Sequence, residues 1–170
     1  MDIKLRELRS EDVEFMYEFI EDVEISSNFI YTRYPTSKEG LDQFVKSSWG
    51  NKANVHFAIV SKEDDDYLGT VSLKNINYVD RNAEYAISIR KKYWGKDHAY
   101  NATSLILEYG FNRLNLYKVY FNVLSSNKRA IGFYKKFGFE QEGVFKNHIF
   151  VNGKYEDMIW FRYINNFLNE

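Results

Sequence analysis

The sequence predicts an α/β domain in which about four helices flank a mixed, mostly antiparallel sheet, with elements in the order β α α β β β α β α β β. Three observations lead there. Segments whose apolar residues alternate, as strands require, are interleaved with segments whose apolar residues recur every three and four positions, as helices require. Three strand-like segments, His56–Val60, Tyr67–Leu73 and Glu84–Ile89, follow one another across short connections, so they pair as an antiparallel meander. Near the end, Asn152-Gly153 between two strand patterns is a strong type I′ hairpin signal. At 170 residues the chain has the size of one domain, 1–170, large enough to bury a core without staples.

The elements follow in order. Asp2–Leu8 alternates Ile3, Leu5 and Leu8 with charge and reads as a strand. Ser10 is placed to cap a helix in which Val13, Met16, Tyr17 and Ile20 form one face, with Glu11 and Asp12 complementing the positive end of the helix dipole. A second helix starts behind Pro35, where Thr36 and Glu39 have capping-box spacing and Leu41, Phe44 and Val45 supply the apolar stripe. The acidic turn Lys62–Asp66, KEDDD, reads as a solvated hairpin tip. After the third strand of the meander comes a loop, Lys91–Asp97. It opens onto a helix with Ala102, Leu105, Ile106 and Tyr109 on its buried face, ending near Asn112. Lys118–Val123 is a strand. Asn127–Phe137 is a helix with Ala130, Ile131, Tyr134 and Phe137 on one side, and Gly138 supplies its left-handed C-terminal cap. Two strands around Asn152-Gly153 close the chain.

Composition narrows the function classes. Aromatic content is 18%, with a single Pro and 9 Gly, so little of the chain is suited to disordered linkers. The net charge of −1, with basic and acidic residues interleaved, argues against nucleic acid as a partner and makes any anion site a local one. Zero Cys excludes disulfides, thiolate metal ligands and a cysteine nucleophile, and it suits a reducing compartment. His56, His98 and His148 are far apart in sequence and make no metal pattern, so no metal is expected. The amino terminus lacks the order of a secretion signal and no apolar run is long enough to span a bilayer, so a cytoplasmic protein without a membrane partner is expected.

The chemistry gathers in Ile89–Phe111, IRKKYWGKDHAYNATSLILEYGF, where a strand pattern ends in a basic, glycine-containing loop before an amphipathic helix. A helix start offers unpaired backbone N–H groups and the positive end of a dipole, and Lys91, Lys92 and Lys96 cluster around it. This pattern suits a phosphate cradle. Asp97 runs against it: a carboxylate capping the helix would take the N–H donors a phosphate needs and would repel it, so either it turns outward or anion binding is weakened.

Four ordered blocks then carry a resemblance. AEYAISI at Ala83–Ile89, YWGKDHAYNA at Tyr93–Ala102, YGFNRLNLYKVYFNV at Tyr109–Val123 and NKRAIGFYKKFGFEQEG at Asn127–Gly143 resemble the GNAT superfamily of acyl-CoA-dependent N-acyltransferases. Within it, the RimJ/RimL-like branch and its spermidine N-acetyltransferases are nearest in pattern. The similarity covers roughly residues 70–163, and before residue 50 it is a shared order of elements. It implies a single GNAT-like domain that uses acetyl-CoA as co-substrate. The family's loop usually runs Gln or Arg, two variable residues, Gly, one residue, then Gly or Ala. Here Trp94, Asp97 and Ala99 hold the outer places, so the small last residue is kept and the other two differ.

The implied reaction moves an acetyl group from the CoA thioester to a primary amine by direct attack. It requires a neutral amine, an aligning pocket, a donor for the tetrahedral oxyanion and an acid for the departing thiolate. Tyr134 matches the family's catalytic tyrosine, implied to protonate the leaving sulfur; a phenol near ~10 and a thiol near ~8.5 make that transfer cheap. It also lies on the apolar stripe and could simply pack. Glu84 is the candidate base, acting directly or through water, or it only attracts the cationic amine or pairs with a neighbouring cation. The resemblance implies that Ile87, Ser88 and Ile89 hold the pantetheine arm along their backbone, like an added strand. The pyrophosphate site would be built from Trp94, Gly95, Lys96, Asp97, His98, Ala99 and Tyr100. Asn127 is either a hydrogen-bond partner of CoA, a plain N-cap, or both, and Arg129 and Lys136, beside Lys128 and Lys135, are candidates to meet its phosphates.

A small-molecule amine is the expected acceptor. The blocks INYVDRNAEY, Ile76–Tyr85, and FVNGKYEDMIWF, Phe150–Phe161, point to a polyamine, and Glu18, Glu21, Asp22 and Glu24 suit a polycation. The stretch Ile25–Pro35 contains no acid and has Arg33, where the polyamine enzymes of the family have acidic residues, so their regulation and assembly do not carry over and homo-oligomerisation stays open. Protein N-termini, aminoglycosides and amino sugars are alternative acceptors within the branch. The other class of reading is a CoA-binding or regulatory protein whose altered loop has abandoned turnover.

Overall fold

The structure is a computed structural model that describes residues 2–22, 26 and 34–165. Seven strands form one sheet: β1 (Ile3–Glu7), β2 (Val55–Ser61), β3 (Tyr67–Asn77), β4 (Asn82–Ile89), β5 (Lys118–Leu124), β6 (Glu140–Val151) and β7 (Lys154–Ile164). Their order across the sheet is β1-β2-β3-β4-β5-β7-β6. Every neighbouring pair is antiparallel except β4 and β5, which run parallel. Four helices lie among the described residues: α1 (Val13–Glu21), α2 (Lys38–Ser48), α3 (His98–Asn112) and α4 (Lys128–Phe137).

The predicted element order and fold class hold, and several boundaries and caps do not. Ser10 caps no α-helix. Ser10–Asp12 is a 3-10 turn, and Asp12 accepts the Arg9 backbone N–H at 2.9 Å while its carboxylate binds the Arg6 guanidinium at 2.8 and 2.9 Å. The cap of α2 is Ser37, one residue beyond the predicted Thr36, with its hydroxyl accepting from the Gly40 N–H at 3.1 Å. Two adjacent hydroxyl residues offer the same chemistry, and the packing of Val45, fully buried, sets which one falls at the helix start. Leu105 was expected inside α3 but is 36% exposed; Ala102, Thr103, Ile106, Leu107 and Gly110 form the buried face instead. Asn127 and Gly138 behave as predicted around α4: the Asn127 side chain accepts from the Ala130 N–H at 3.1 Å, and Gly138 has φ +110°. Asn152 and Gly153 both have positive φ, 49° and 82°, as a type I′ hairpin needs.

The sheet separates two cores. On one face Leu73, Tyr85, Val119, Phe121 and Phe161 pack beneath Ala102, Ile106 and Leu107 of α3 and Ile131 and Tyr134 of α4. On the other, Ala58, Val60 and Tyr67 pack with Val13, Met16 and Phe19 of α1 and Val45 of α2. Because strand side chains alternate, adjacent residues of the central strands serve different layers. In β4, Tyr85 belongs to the α3–α4 side, and its neighbour Glu84 faces the α1–α2 side beside Lys74 of β3.

Candidate active site

The site starts from a gap in the sheet. The parallel pairing of β4 and β5 runs only from Asn82 with Lys118 to Glu84 with Tyr120. Beyond that, β4 continues to Ile89 and β5 to Leu124 with no further paired residues between them among the described residues. Ile87, Ser88 and Ile89 are held on their other side by Val71, Thr70 and Gly69 of β3. Their edge toward β5 therefore offers extended backbone to an added strand-like ligand. Gly69 makes the β3 contact close. A methyl there would meet the Ser88 carbonyl oxygen at 2.0 Å.

The loop and helix start after β4 form the mouth of this gap. Lys91–Tyr93 is a 3-10 turn, Gly95 has φ +75° with open space beside it, and α3 begins at His98. The helical ladder opens with the Asn101 N–H donating to the Asp97 carbonyl at 2.9 Å, leaving the N–H groups of His98, Ala99 and Tyr100 ahead of it in the dipole's positive end. Asp97 is exposed and its carboxylate makes no capping bond. The feared competition for N–H donors is thus not realised, and the donors fit a pyrophosphate. His98 is buried and its Nε2 has no hydrogen-bond partner; burial lowers the pKa of this imidazole. Tyr100 packs on Phe137 of α4.

Trp94 explains its own departure from the family pattern. Its indole N–H donates to the Ile89 carbonyl at 2.7 Å, fixing the loop to the end of β4, and the Arg129 guanidinium of α4 lies 3.5 Å from the ring centroid. A cation stacked on indole in this way is held in place. The loop thereby gains from α4 the guanidinium that it lacks at its own first position.

Tyr134 stands on the α3–α4 side of the gap, 9% exposed, against Phe121 at 4.1 Å, Phe139 at 5.8 Å, Phe161 at 6.0 Å and Tyr85 at 6.2 Å between ring centroids. No described residue is hydrogen-bonded to its hydroxyl. Burial raises its pKa well above the ordinary phenol value, so it is a protonated donor at neutral pH. Both expected roles coexist: the ring packs, and the hydroxyl keeps its proton. Tyr85 beneath it is tied to α3, donating to Thr103 Oγ1 at 2.7 Å while Thr103 donates to the Ala99 carbonyl at 2.7 Å.

Glu84 stands on the α1–α2 side. Lys74 Nζ lies 2.8 Å from its Oε1 and Asn75 Nδ2 donates to its Oε2 at 2.9 Å. The expected cation pairing is therefore present. Tyr120, its parallel neighbour, has its pKa raised by burial and then by the Glu84 charge. His56, bonded to Ser72 through Nδ1 at 2.8 Å and packed edge-on against Phe44, lines the same face; burial, with the Lys74 charge adding to it, lowers its pKa to about 4. His148 is exposed against Phe145.

Three sequence expectations need correction. The acidic turn is solvated at Lys62, Glu63 and Asp64 but not at its end: Asp65 binds Lys4, Arg6 and Arg9 at 2.9–3.1 Å, and Asp66 accepts from the Tyr93 hydroxyl with Lys92 Nζ at 3.5 Å and Arg90 at 3.7 Å. A charge run looks the same in sequence whether or not cations fold back onto it. Lys91 and Lys92 are not simply clustered around the helix start: they lie 3.6 Å from Asp22 and 3.5 Å from Asp66, respectively, while Lys96 lies 5.9 Å from the Tyr93 ring. Glu18 is not a free carboxylate: Arg90, buried and stacked over Phe15, donates to both its oxygens at 2.6 and 2.8 Å. Glu24, Arg33 and the segment 27–33 lie outside the described residues. Lys128 Nζ donates to the Ser125 carbonyl at 2.7 Å, and Lys135 and Lys136 sit in the last turn of α4. Sequence reasoning missed Arg90, Lys74, Thr103 and Gly69; the signal is positional for three of them, adjacency to Ile89 or pairing opposite β4, and Thr103 is found only through its bond from α3 to Tyr85.

An opened sheet with a helix start at its mouth, a protonated phenol on one side and a carboxylate on the other suits acyl transfer from a CoA thioester. Residues 2–140 match the family described as Acetyltransferase (GNAT) domain, and the chain belongs to that family. It is an N-acetyltransferase with acetyl-CoA as co-substrate. The spermidine N(1)-acetyltransferase of Escherichia coli (strain K12) is 35% identical over 161 residues, spanning 92% of this chain and 83% of that protein. A crystal structure of spermidine N-acetyltransferase from Vibrio cholerae in complex with CoA and spermine superposes with a TM-score of 0.86 at 29% identity, covering 95% of each chain. A dodecameric structure of the Vibrio cholerae enzyme superposes with a TM-score of 0.79 at 27% identity, covering 95% of this chain and 93% of that one. Among the described residues no helix is long and apolar enough to cross a membrane, and no group of three His, Asp or Glu is placed to hold a metal.

Proposed function

We propose that this chain transfers an acetyl group from acetyl-CoA to a terminal primary amine of a polyamine, spermidine-like in chemistry. The observation that carries this reading is the β4–β5 gap, which joins a face bearing Tyr134 to a face bearing Glu84. Donor and acceptor can then meet edge to edge without a covalent enzyme intermediate. Names of the relatives support the polyamine, and the carboxylate of Glu84 supports a cationic acceptor.

The co-substrate supplies an acyl group activated as a thioester. The residues of this chain supply the rest. His98, Ala99 and Tyr100 present backbone N–H groups to the pyrophosphate, assisted by Arg129 stacked on Trp94. Ile87–Ile89 align the pantetheine arm, and one N–H there serves the oxyanion. Asn127, whose side-chain oxygen is occupied by the Ala130 N–H, keeps its amide NH₂ for the co-substrate. An ammonium sheds two protons on becoming an amide. Glu84 passes the first to solvent, directly or through water, and the second replaces the proton that Tyr134 gives to the sulfur as the carbon–sulfur bond breaks. Burial raises the Tyr134 phenol, and a thiolate in the same cavity is raised for the same reason, so the transfer stays nearly balanced.

The test joins acetyl-CoA thermal shift to turnover on an amine panel of spermidine, spermine, a monoamine, an N-terminal peptide and an aminoglycoside, with free thiol as the readout. Stabilisation by acetyl-CoA and thiol release dependent on spermidine are expected, with intersecting initial-rate patterns that mark a ternary complex. Binding without turnover on any amine would reassign the chain as a CoA-binding protein. A cytoplasmic setting and a homo-oligomer fit the same reading, the latter supported by the dodecameric Vibrio cholerae relative.

A further inference from the structure

The acceptor face already holds a primary alkylammonium, that of Lys74. Lys74 and Glu84 are directly opposite in the β3–β4 register, Nζ to Oε1 is 2.8 Å, and the Lys74 and Glu84 side chains are 34% and 24% exposed. Asn75, at φ +50° within the register shift between Lys74 and Asn77 of β3, supplies the second bond to Glu84 at 2.9 Å. The carboxylate is thus fully formed as an ammonium receptor, accepting on both oxygens, with the Tyr120 ring beside it and Lys74 as the occupant.

We propose that Lys74 occupies on Glu84 the place of the acceptor's own ammonium, and that it sets acceptor affinity by competing for that carboxylate. The inference rests on the reading of Glu84 as the acceptor's carboxylate. The chemistry of the two cations is identical: both are R–NH₃⁺ on an unbranched alkyl stem. The competition is beatable because the pair is reachable by water: an exposed ion pair contributes about fivefold at most, the equivalent of about 1 kcal/mol. A monoamine must displace Lys74 with one charge. A polyamine meets the same displacement cost but brings further ammonium groups to offset it, so the internal lysine sets an affinity threshold that a polycation passes more readily. Asn75, neutral, stays in place and orients the carboxylate for either occupant.

The experiment measures spermidine and butylamine affinity by calorimetry on the full chain with CoA present, which needs no turnover. Lys74→Met and Lys74→Gln should each bind butylamine and spermidine about three- to fivefold more tightly. Lys62→Met, which removes the same charge at the far β2–β3 hairpin, should leave both constants within twofold and so controls for net charge. In a Glu84→Gln background the Lys74 substitution should have no effect. Thermal unfolding of each variant identifies those that are folded. Folded Lys74 variants with unchanged or weaker amine affinity, or an equal gain from Lys62→Met, would overturn the proposal. If Lys74→Met tightens binding while the wild type acetylates no amine, the receptor stands and the catalytic reading fails; turnover with no effect of Lys74 means the converse.

Discussion

Tyr134 shows how one residue carries two demands. Its ring is wedged among five aromatic neighbours, and its hydroxyl is hydrogen-bonded to no described residue, as the proposed proton donor requires. Tyr134→Phe keeps the ring and removes the proton. Turnover should fall by about 10² or more, the ordinary range for losing a general acid, while acetyl-CoA affinity changes less than about threefold. Steady-state kinetics with calorimetry checks this, and a fully active Phe variant would remove Tyr134 from the chemistry. At the same scale, Asp97 was the residue of greatest concern in the sequence, and the structure turns its carboxylate outward. Residue identity alone could not decide that, since an N-cap carboxylate binds or ignores its helix according to one side-chain rotamer.

Strand β4 is the element on which the site depends. One edge must stay tightly paired to β3 so that the other can stay open to a ligand. Gly69 permits that tight pairing, because an added methyl would lie 2.0 Å from the Ser88 carbonyl oxygen. Gly69→Ala therefore forces the backbones of β3 and β4 apart at Thr70–Ser88. A stability loss of about 1–3 kcal/mol is expected from such overpacking, together with an acetyl-CoA KM raised several-fold, since Ser88 lies within the edge proposed to hold the pantetheine arm. Urea unfolding and initial rates measure both; an unchanged KM in a folded variant would separate Ser88 from the co-substrate. Helix α3 is joined to this strand from the other direction by Tyr85, Thr103 and the Ala99 carbonyl, so cradle and thioester edge move as one body.

The molecule as a whole folds around a sheet whose polar inclusions tie stability to pH. His56 is held neutral by burial, with its pKa lowered to about 4, and burial lowers His98 in the same direction. An unfolded histidine takes a proton near ~6.5. Between those values the unfolded chain binds more protons than the folded one, so folding stability is complete above about pH 6.5 and falls as pH drops toward 4. For His56 alone the loss is on the order of 2 kcal/mol after allowing for its partial solvent access. Urea titrations at pH 7, 5.5 and 4.5 should show it, and His56→Gln should flatten that window. Carboxylates such as Asp65, lowered first by its bond to Lys4, lose their contribution only at more acid pH.

The sequence by itself determined the element order, the antiparallel meander, the α4 caps, the terminal hairpin and the family, because these rest on local periodicity, turn chemistry and contiguous motifs that a linear chain records. Tertiary structure alone decided which charges meet. Arg90 with Glu18, Asp66 with Tyr93, Arg129 over Trp94 and Lys74 on Glu84 unite residues that local patterns had left separate or read as solvated. The physical reason is that burial and pairing of a charge depend on what the fold brings within a few ångströms, and strand register and helix packing set that distance while periodicity does not.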